Sequence, residues 1–93
     1  MKACIVIYDI SCDKIRLRVA NRLLKDGERV QESAFEVFFK TDAARLRLER
    51  DLAKLMHQQN GNVRWYGLNQ DALALSGAIG SAVPAFPPSL IVL

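Results

Sequence analysis

MKACIVIYDI, residues 1–10, decides the fold. From Ala3 to Tyr8 it is an unbroken run of apolar β-formers, bounded by Lys2 and by the polar turn Ser11-Cys12-Asp13. A short run of that kind reads as a strand buried on both faces, which places it centrally in a sheet. It delivers Tyr8-Asp9 at its C-terminal end, immediately before a helix begins. In α/β sheets that edge is where the backbone stops being covered and a ligand can approach. The plainer reading has Asp9 hydrogen-bonding the turn that follows it.

Working outward, DKIRLRVANRLLKD (Asp13–Asp26) reads as a first helix, with Ser11 or Asp13 as N-cap and Gly27 as its stop. Ile15, Leu17, Val19, Ala20, Leu23 and Leu24 form an apolar arc towards the sheet, and Lys14, Arg18, Asn21, Arg22 and Lys25 a solvated face. Arg16 falls inside the apolar arc, in the first turn, where its long stem can carry the charge around the strand edge towards Asp9. Glu28–Lys40 is β-rich, with Phe35, Val37 and Phe39 on one face and Ala34, Glu36 and Phe38 on the other. Gln31-Glu32-Ser33 is polar enough to split the run into a short and a longer strand.

Thr41 caps a second helix, TDAARLRLERDLAKLMHQQ, whose buried stripe is Ala44, Leu48, Leu52, Leu55 and Met56. His57, the single histidine, falls in its last turn, where a cation suits the helix dipole. Asn60-Gly61 is a turn, and NVRWYGL (Asn62–Leu68) a further strand with Val63 and Trp65 on one face and Arg64 and Tyr66 on the other. Strand, helix, split strand, helix, strand is an α+β arrangement, a ferredoxin-like βαββαβ sandwich. We divide the chain into that domain, residues 1–68, and an arm, residues 69–93. The arm is rich in Ala, Gly, Ser and Pro, which argues against a third helix. It ends in a β-prone tip, Leu90 to Leu93, suited to pairing with a sheet edge, on another subunit for example.

Ninety-three residues suffice for one small domain that buries about 60–65% of its unfolded surface, so a second subunit would help it. A hydrophobic content of 51% excludes a disordered chain, yet no stretch reaches the ~18 consecutive apolar residues of a membrane span. The apolar start has one lysine before it and ends in Tyr-Asp, unlike a signal peptide, so the expected location is cytoplasmic. Two cysteines make neither a metal cage nor a disulfide framework: Cys4 reads as a core residue, Cys12 as a free thiol. The net charge of +3 matters only through where the cations sit.

Four blocks in order, Tyr8-Asp9-Ile10-Ser11, Arg16-x-Arg18-x-Ala20, Gly27 through Glu36 (GERVQESAFE) and Val63 through Leu68 (VRWYGL), resemble the small CRISPR-associated adaptation protein, CRISPR-associated protein two. The likeness runs in register from Met1 to about Leu68. It implies a homodimer that works with the CRISPR integrase, CRISPR-associated protein one, to capture foreign DNA as new spacers. It also implies a possible Mg²⁺-dependent endonuclease acting on RNA or DNA. Carried over by motif, Asp9 is the metal ligand, and Tyr8, Arg16, Arg18, Arg29 and Phe35 join it as catalytic or supporting residues. Lys14, Arg16, Arg18, Arg22, Arg29 and Arg64 are the expected nucleic-acid contacts.

Cys12 stands where many relatives carry an acidic or small polar residue, and the stretch after Leu68 shows little family pattern. One Asp9 per chain is a thin site for Mg²⁺, which takes one or two carboxylates with waters and phosphates, so a two-fold dimer would supply the second. The spacing puts no His, Lys or second acid beside Asp9 as general base. Two other functions fit the residues. One is a scaffold whose cations contact duplex phosphates without reading sequence. The other is a ferredoxin-like toxin-type ribonuclease or ligand-sensing module outside CRISPR systems.

Overall fold

The computed structural model describes residues 2–80. Four strands and three helices follow in the order β1 (Lys2–Asp9), α1 (Asp13–Leu23), β2 (Gly27–Gln31), β3 (Ala34–Phe39), α2 (Asp42–Leu55), β4 (Asn62–Leu68) and α3 (Gln70–Ala74). The strands form one antiparallel sheet in the order β2-β3-β1-β4, so β1 is central as its apolar run requires. The α+β class and the βαββαβ sandwich expected from the sequence are what the chain adopts. The terminal strand tip expected at residues 90–93 lies outside the described residues.

Alternation along β1 sorts the two faces. Cys4, Val6 and Tyr8 point to the layer of α1 and α2, where they pack with Ile15, Val19, Leu23, Leu48, Leu52 and the buried Phe35, Val37 and Phe39. Ala3 and Ile5 point to the other face, which α3 covers at one end through Leu73, packed with Phe38 and Leu68. Among the described residues nothing else packs on that face, and Ile7 and Tyr66 are exposed on it.

Register and the β2–β3 junction follow from small residues. Glu32-Ser33 make the turn between β2 and β3, and the pairing slips by one residue between Arg29 and Gln31. Gly27 starts β2 so close to β3 that a Cβ there would lie 2.0 Å from the Glu36 carbonyl oxygen. The Thr41 hydroxyl caps α2 by accepting from the Ala44 N–H at 3.1 Å, as its sequence predicts.

Four expectations are corrected. Cys12, and neither Ser11 nor Asp13, occupies the N-cap of α1, and its side chain makes no capping bond. Leu17 and Leu24 are exposed, 61% and 51%, because the helix advances about 100° per residue and the arc from Ile15 to Ala20 ends before reaching them. The second helix stops at Leu55, ahead of a turn in which Gln58 has φ 58°, so His57 lies beyond it. Residues 70–74 are helical. The Asn69 carboxamide accepts from the Ala72 N–H at 2.8 Å and Leu73 is buried against Ala3, so a local cap and one apolar anchor outweigh the composition of the surrounding stretch.

Candidate functional site

At the C-terminal end of β1 an open hollow of about 510 Å³ is lined by Tyr8, Asp9, Ile10, Asp13, Arg16, Leu17, Arg29, Glu32 and Ser33. Antiparallel pairing brings the β2–β3 turn to this end, since the Tyr8 N–H donates to the Ser33 carbonyl at 3.0 Å. Tyr8 is buried, 5% exposed, and its hydroxyl donates to the Glu32 carbonyl oxygen at 3.2 Å. Its ring lies 6.1 Å from that of Phe35, centre to centre, at 30°. Arg29 closes the stack: its guanidinium carbon is 5.2 Å from the centre of the Phe35 ring, and an Nη–H reaches the Tyr8 hydroxyl at 3.5 Å. An aromatic face holds a guanidinium by its quadrupole and leaves the remaining N–H groups free to donate. Phe35 itself is 0% exposed and reaches the hollow only through Tyr8 and Arg29.

Arg16 enters from α1. One Nη–H donates to the Ile10 carbonyl at 3.0 Å, and the other nitrogen pairs with the Asp13 carboxylate. The arginine thus turns round the strand end as its position suggested, but its ion-pair partner is Asp13, one turn away, and not Asp9. The Asp9 side chain is exposed and has no hydrogen-bond or ion-pair partner among the described residues. Its backbone is fixed from above. Gly61, with φ 105°, passes so close that a Cβ there would lie 2.2 Å from the Asp9 carbonyl oxygen. Sequence reasoning saw a turn at Asn60-Gly61 but not that the turn holds Asp9 in place.

Asp9 also borders a second open hollow, of about 440 Å³, with Ile7, Tyr8, Ser33, Ala34, Asn62 and Arg64. Arg64 therefore reaches Asp9's surroundings from the open face of the sheet, with its Nε–H donating to Asn62 Oδ1 at 3.3 Å. Arg18 does not join them. Two positions beyond Arg16, it is about 200° further round α1 and lines a groove between the helices. Lys14, one turn before Arg18, shares that outer side. Arg22 is half of a structural clamp: its Nε–H donates to Asp51 and an Nη–H to Asp26, each at 2.7 Å, which ties α1 to α2. Two of the five guanidinium N–H groups are thus engaged between the helices, and the side chain is 14% exposed.

The carboxylates differ from expectation. Asp13 and Glu32 line the same hollow as Asp9, although the spacing had suggested no second acid there. The β2–β3 turn supplies Glu32, a contact across the sheet that no local spacing reveals. No group of three or more His, Cys, Asp or Glu is arranged to hold a metal ion among the described residues. Asp13 is paired with Arg16, whereas the Asp9 carboxylate is exposed and unpaired among the described residues. A single exposed carboxylate suits half of a Mg²⁺ site, since that ion keeps several waters and needs only one or two carboxylates.

The family model for CRISPR associated protein Cas2 matches residues 1–74. The chain belongs to the Cas2 family. A Cas2-like fold is found also among solved structures. A chain of a partial Cas6-RT-Cas1–Cas2 complex is 36% identical, with 85% of this chain and 91% of that one covered and a TM-score of 0.74. Cas2 of Streptococcus pyogenes, crystallised at pH 6.5, is 24% identical over 84% of this chain and 99% of that one (TM-score 0.70). A hypothetical protein from Thermus thermophilus is 29% identical over 89% and 94% (TM-score 0.68). None of the curated proteins matches. The Cas2 match extends beyond Leu68 to α3, so the helix that covers Ala3 belongs to the matched region. No helix of the described residues is long and apolar enough to cross a membrane.

Proposed function

We propose that the chain is a CRISPR adaptation subunit that, as a homodimer with the integrase Cas1 in the cytoplasm, binds nucleic acid for the acquisition of new spacers. One observation carries the reading: a chain of the Cas2 family gathers Asp9, Arg16 and Arg29 in a single hollow at the end of its central strand. The complex named for its 36%-identical relative supports Cas1 as partner. Exposed Ile7 and Tyr66 on the open face of the sheet support a second copy as the other.

In this reading Arg29, seated on Phe35 and Tyr8, and Arg16, anchored on the Ile10 carbonyl, present N–H groups to phosphate oxygens. Such contacts fix register without reading sequence, as capture of arbitrary foreign DNA requires. Hydrolysis of RNA or DNA is a second activity of the same hollow. Asp9 of each subunit would hold Mg²⁺, which when bound supplies charge neutralisation at the phosphate and a coordinated water. Gly61 keeps the Asp9 backbone in place, and the arginines hold the flanking phosphates while the bond is broken.

The test is integrase-dependent spacer acquisition with wild type, Asp9→Asn and Arg16→Ala/Arg29→Ala. The double arginine variant should lose acquisition and duplex binding. Asp9→Asn should lose Mg²⁺-dependent cleavage by orders of magnitude while keeping DNA affinity. Acquisition that proceeds normally without the chain would sink the adaptation role. Undiminished cleavage by Asp9→Asn would sink the metal site alone.

A further inference from the structure

Outside the hollow at Asp9, the strongest unexplained feature is on the far side of the helix layer. There α1 and α2 leave between them an open groove of about 410 Å³, lined by Arg18, Asn21 and Arg22 from the first helix, Lys25 from the turn that follows it, and Asp51, Lys54 and Leu55 from the second. Its two nearest acids, Asp26 and Asp51, share the one arginine that bridges the helices, and Arg18, Lys25 and Lys54 outweigh the negative charge left over. Arg18, Lys25 and Lys54 have no ion-pair partner among the described residues. The hydrogen bond from Arg22, and after it the charges of Arg22, Lys54 and Arg50, hold the Asp51 carboxyl below the usual range. A groove with cations on both walls and a net positive charge attracts an anionic ligand and raises its local concentration.

We propose that this groove is a second phosphate track, in which Lys25 and Lys54 join Arg18 in gripping the backbone of a nucleic-acid duplex. It rests on the nucleic-acid-binding reading above and extends it to α2, a helix whose sequence reads as purely structural. The arrangement favours nucleic acid over an acidic protein face. Leu55 is the one large apolar side chain in the groove, whereas protein interfaces bury an apolar centre and are depleted in lysine. Phosphate contacts need only charge and reach, which Lys25 and Lys54 have, both being exposed. The Arg22 clamp becomes the element that sets the spacing of the walls, so it positions the track without touching the ligand.

The experiment measures binding of a fluorescent mixed-sequence DNA duplex to the full chain at several salt concentrations. It compares wild type, Lys25→Gln/Lys54→Gln and Arg29→Ala. Losing two phosphate contacts should flatten the slope of log affinity against log salt by about 1.8 for each chain engaged. Between about 50 and 200 mM salt the wild type should then lose roughly twelvefold more affinity than the double variant. Thermal melting should not move, because neither lysine's side chain makes a hydrogen bond among the described residues; a lowered melt is resolved by repeating the titration with the single variants. A slope and affinity equal to wild type, with Arg29→Ala still weakened, would overturn the track and leave the proposed function standing. Unchanged DNA binding with weakened binding of the integrase would assign the groove to protein and overturn it as well. A wild-type chain that binds no duplex at all would overturn both.

Discussion

Phe35→Leu is the sharpest single test of how the core builds the site. Leucine keeps a buried apolar side chain near the same volume, which by itself costs under about 1.5 kcal/mol. Two further losses are specific to this position. The ring pair with Tyr8, at 6.1 Å, is worth about 0.5–1.5 kcal/mol, and the seat of Arg29, 5.2 Å above the ring, about 0.5–1 kcal/mol at an exposed guanidinium. Together they give a destabilisation of about 1–4 kcal/mol out of the roughly 5–15 typical of a domain. For a chain of this length that is a fall in Tm of roughly 5–30 °C. The assay is urea and thermal unfolding at one fixed protein concentration, since self-association adds to apparent stability. A double-mutant cycle with Arg29→Ala isolates the arginine's share, for which a coupling of about 0.5–1 kcal/mol is expected. A total loss below about 0.5 kcal/mol, or strict additivity of the two substitutions, would refute the claim that the ring organises the hollow.

Four further outcomes follow from the same geometry. Gly61→Ala should destabilise the chain by about 1–3 kcal/mol and lower any Asp9-dependent activity beyond what the stability loss explains, because the new Cβ meets the Asp9 carbonyl; normal cleavage and stability would refute the contact. Gly27→Ala should disrupt the β2–β3 pairing, read as lost hydrogen-exchange protection of Phe35 to Val37, and unchanged protection would count against it. Asp51 is held below the ordinary aspartate value of 3.8, mainly by its hydrogen bond from Arg22, so its stabilisation is complete above that value and disappears as pH falls through the lower folded one. Asp51→Asn should therefore flatten the acid limb of a stability–pH curve, and an unaltered limb would show the clamp to be silent. Burial, then the charge of Glu49, push the Cys4 thiol up to about 11, so iodoacetamide at neutral pH should modify exposed Cys12 and leave Cys4 until the chain unfolds; equal labelling in the folded state would contradict the packing of β1.

Much of this was legible in the residues. The apolar run to Tyr8, the alternation of Phe35, Val37 and Phe39, the Thr41 cap and the bounds of Asn62–Leu68 all carry local periodicity, and local periodicity is what a sequence displays. What stayed hidden depends on contacts between distant segments. Arg22 looks like any solvated arginine on a helical wheel, because one of its carboxylates lies 29 residues further on. Glu32 reaches the hollow only by the register of β3 on β1. The family motif groups Arg16 with Arg18, yet helical geometry aims them at different surfaces, as their places on the helical wheel already implied. The short helix at residues 70–74 was masked by the Gly, Ser and Pro that surround it, although Asn69 and Leu73 carried its cap and its anchor.

The central position of β1 has a consequence for how the chain folds. The first strand made is the one whose partners come last: Val6 must wait for Phe35, and Ala3 for Leu68. Only the β2–β3 hairpin and the three helices close through near neighbours, so they can form early, while both seams of β1 demand long loop closures. During synthesis ACIVIY therefore emerges as an uncharged, β-prone window ahead of both strands that pair with it. Helix α1, next off the ribosome, can lay Ile15, Val19 and Leu23 over Cys4, Val6 and Tyr8 and shield that one face until the later strands arrive. The apolar side of α1 then serves as the strand's escort before it becomes part of the finished core.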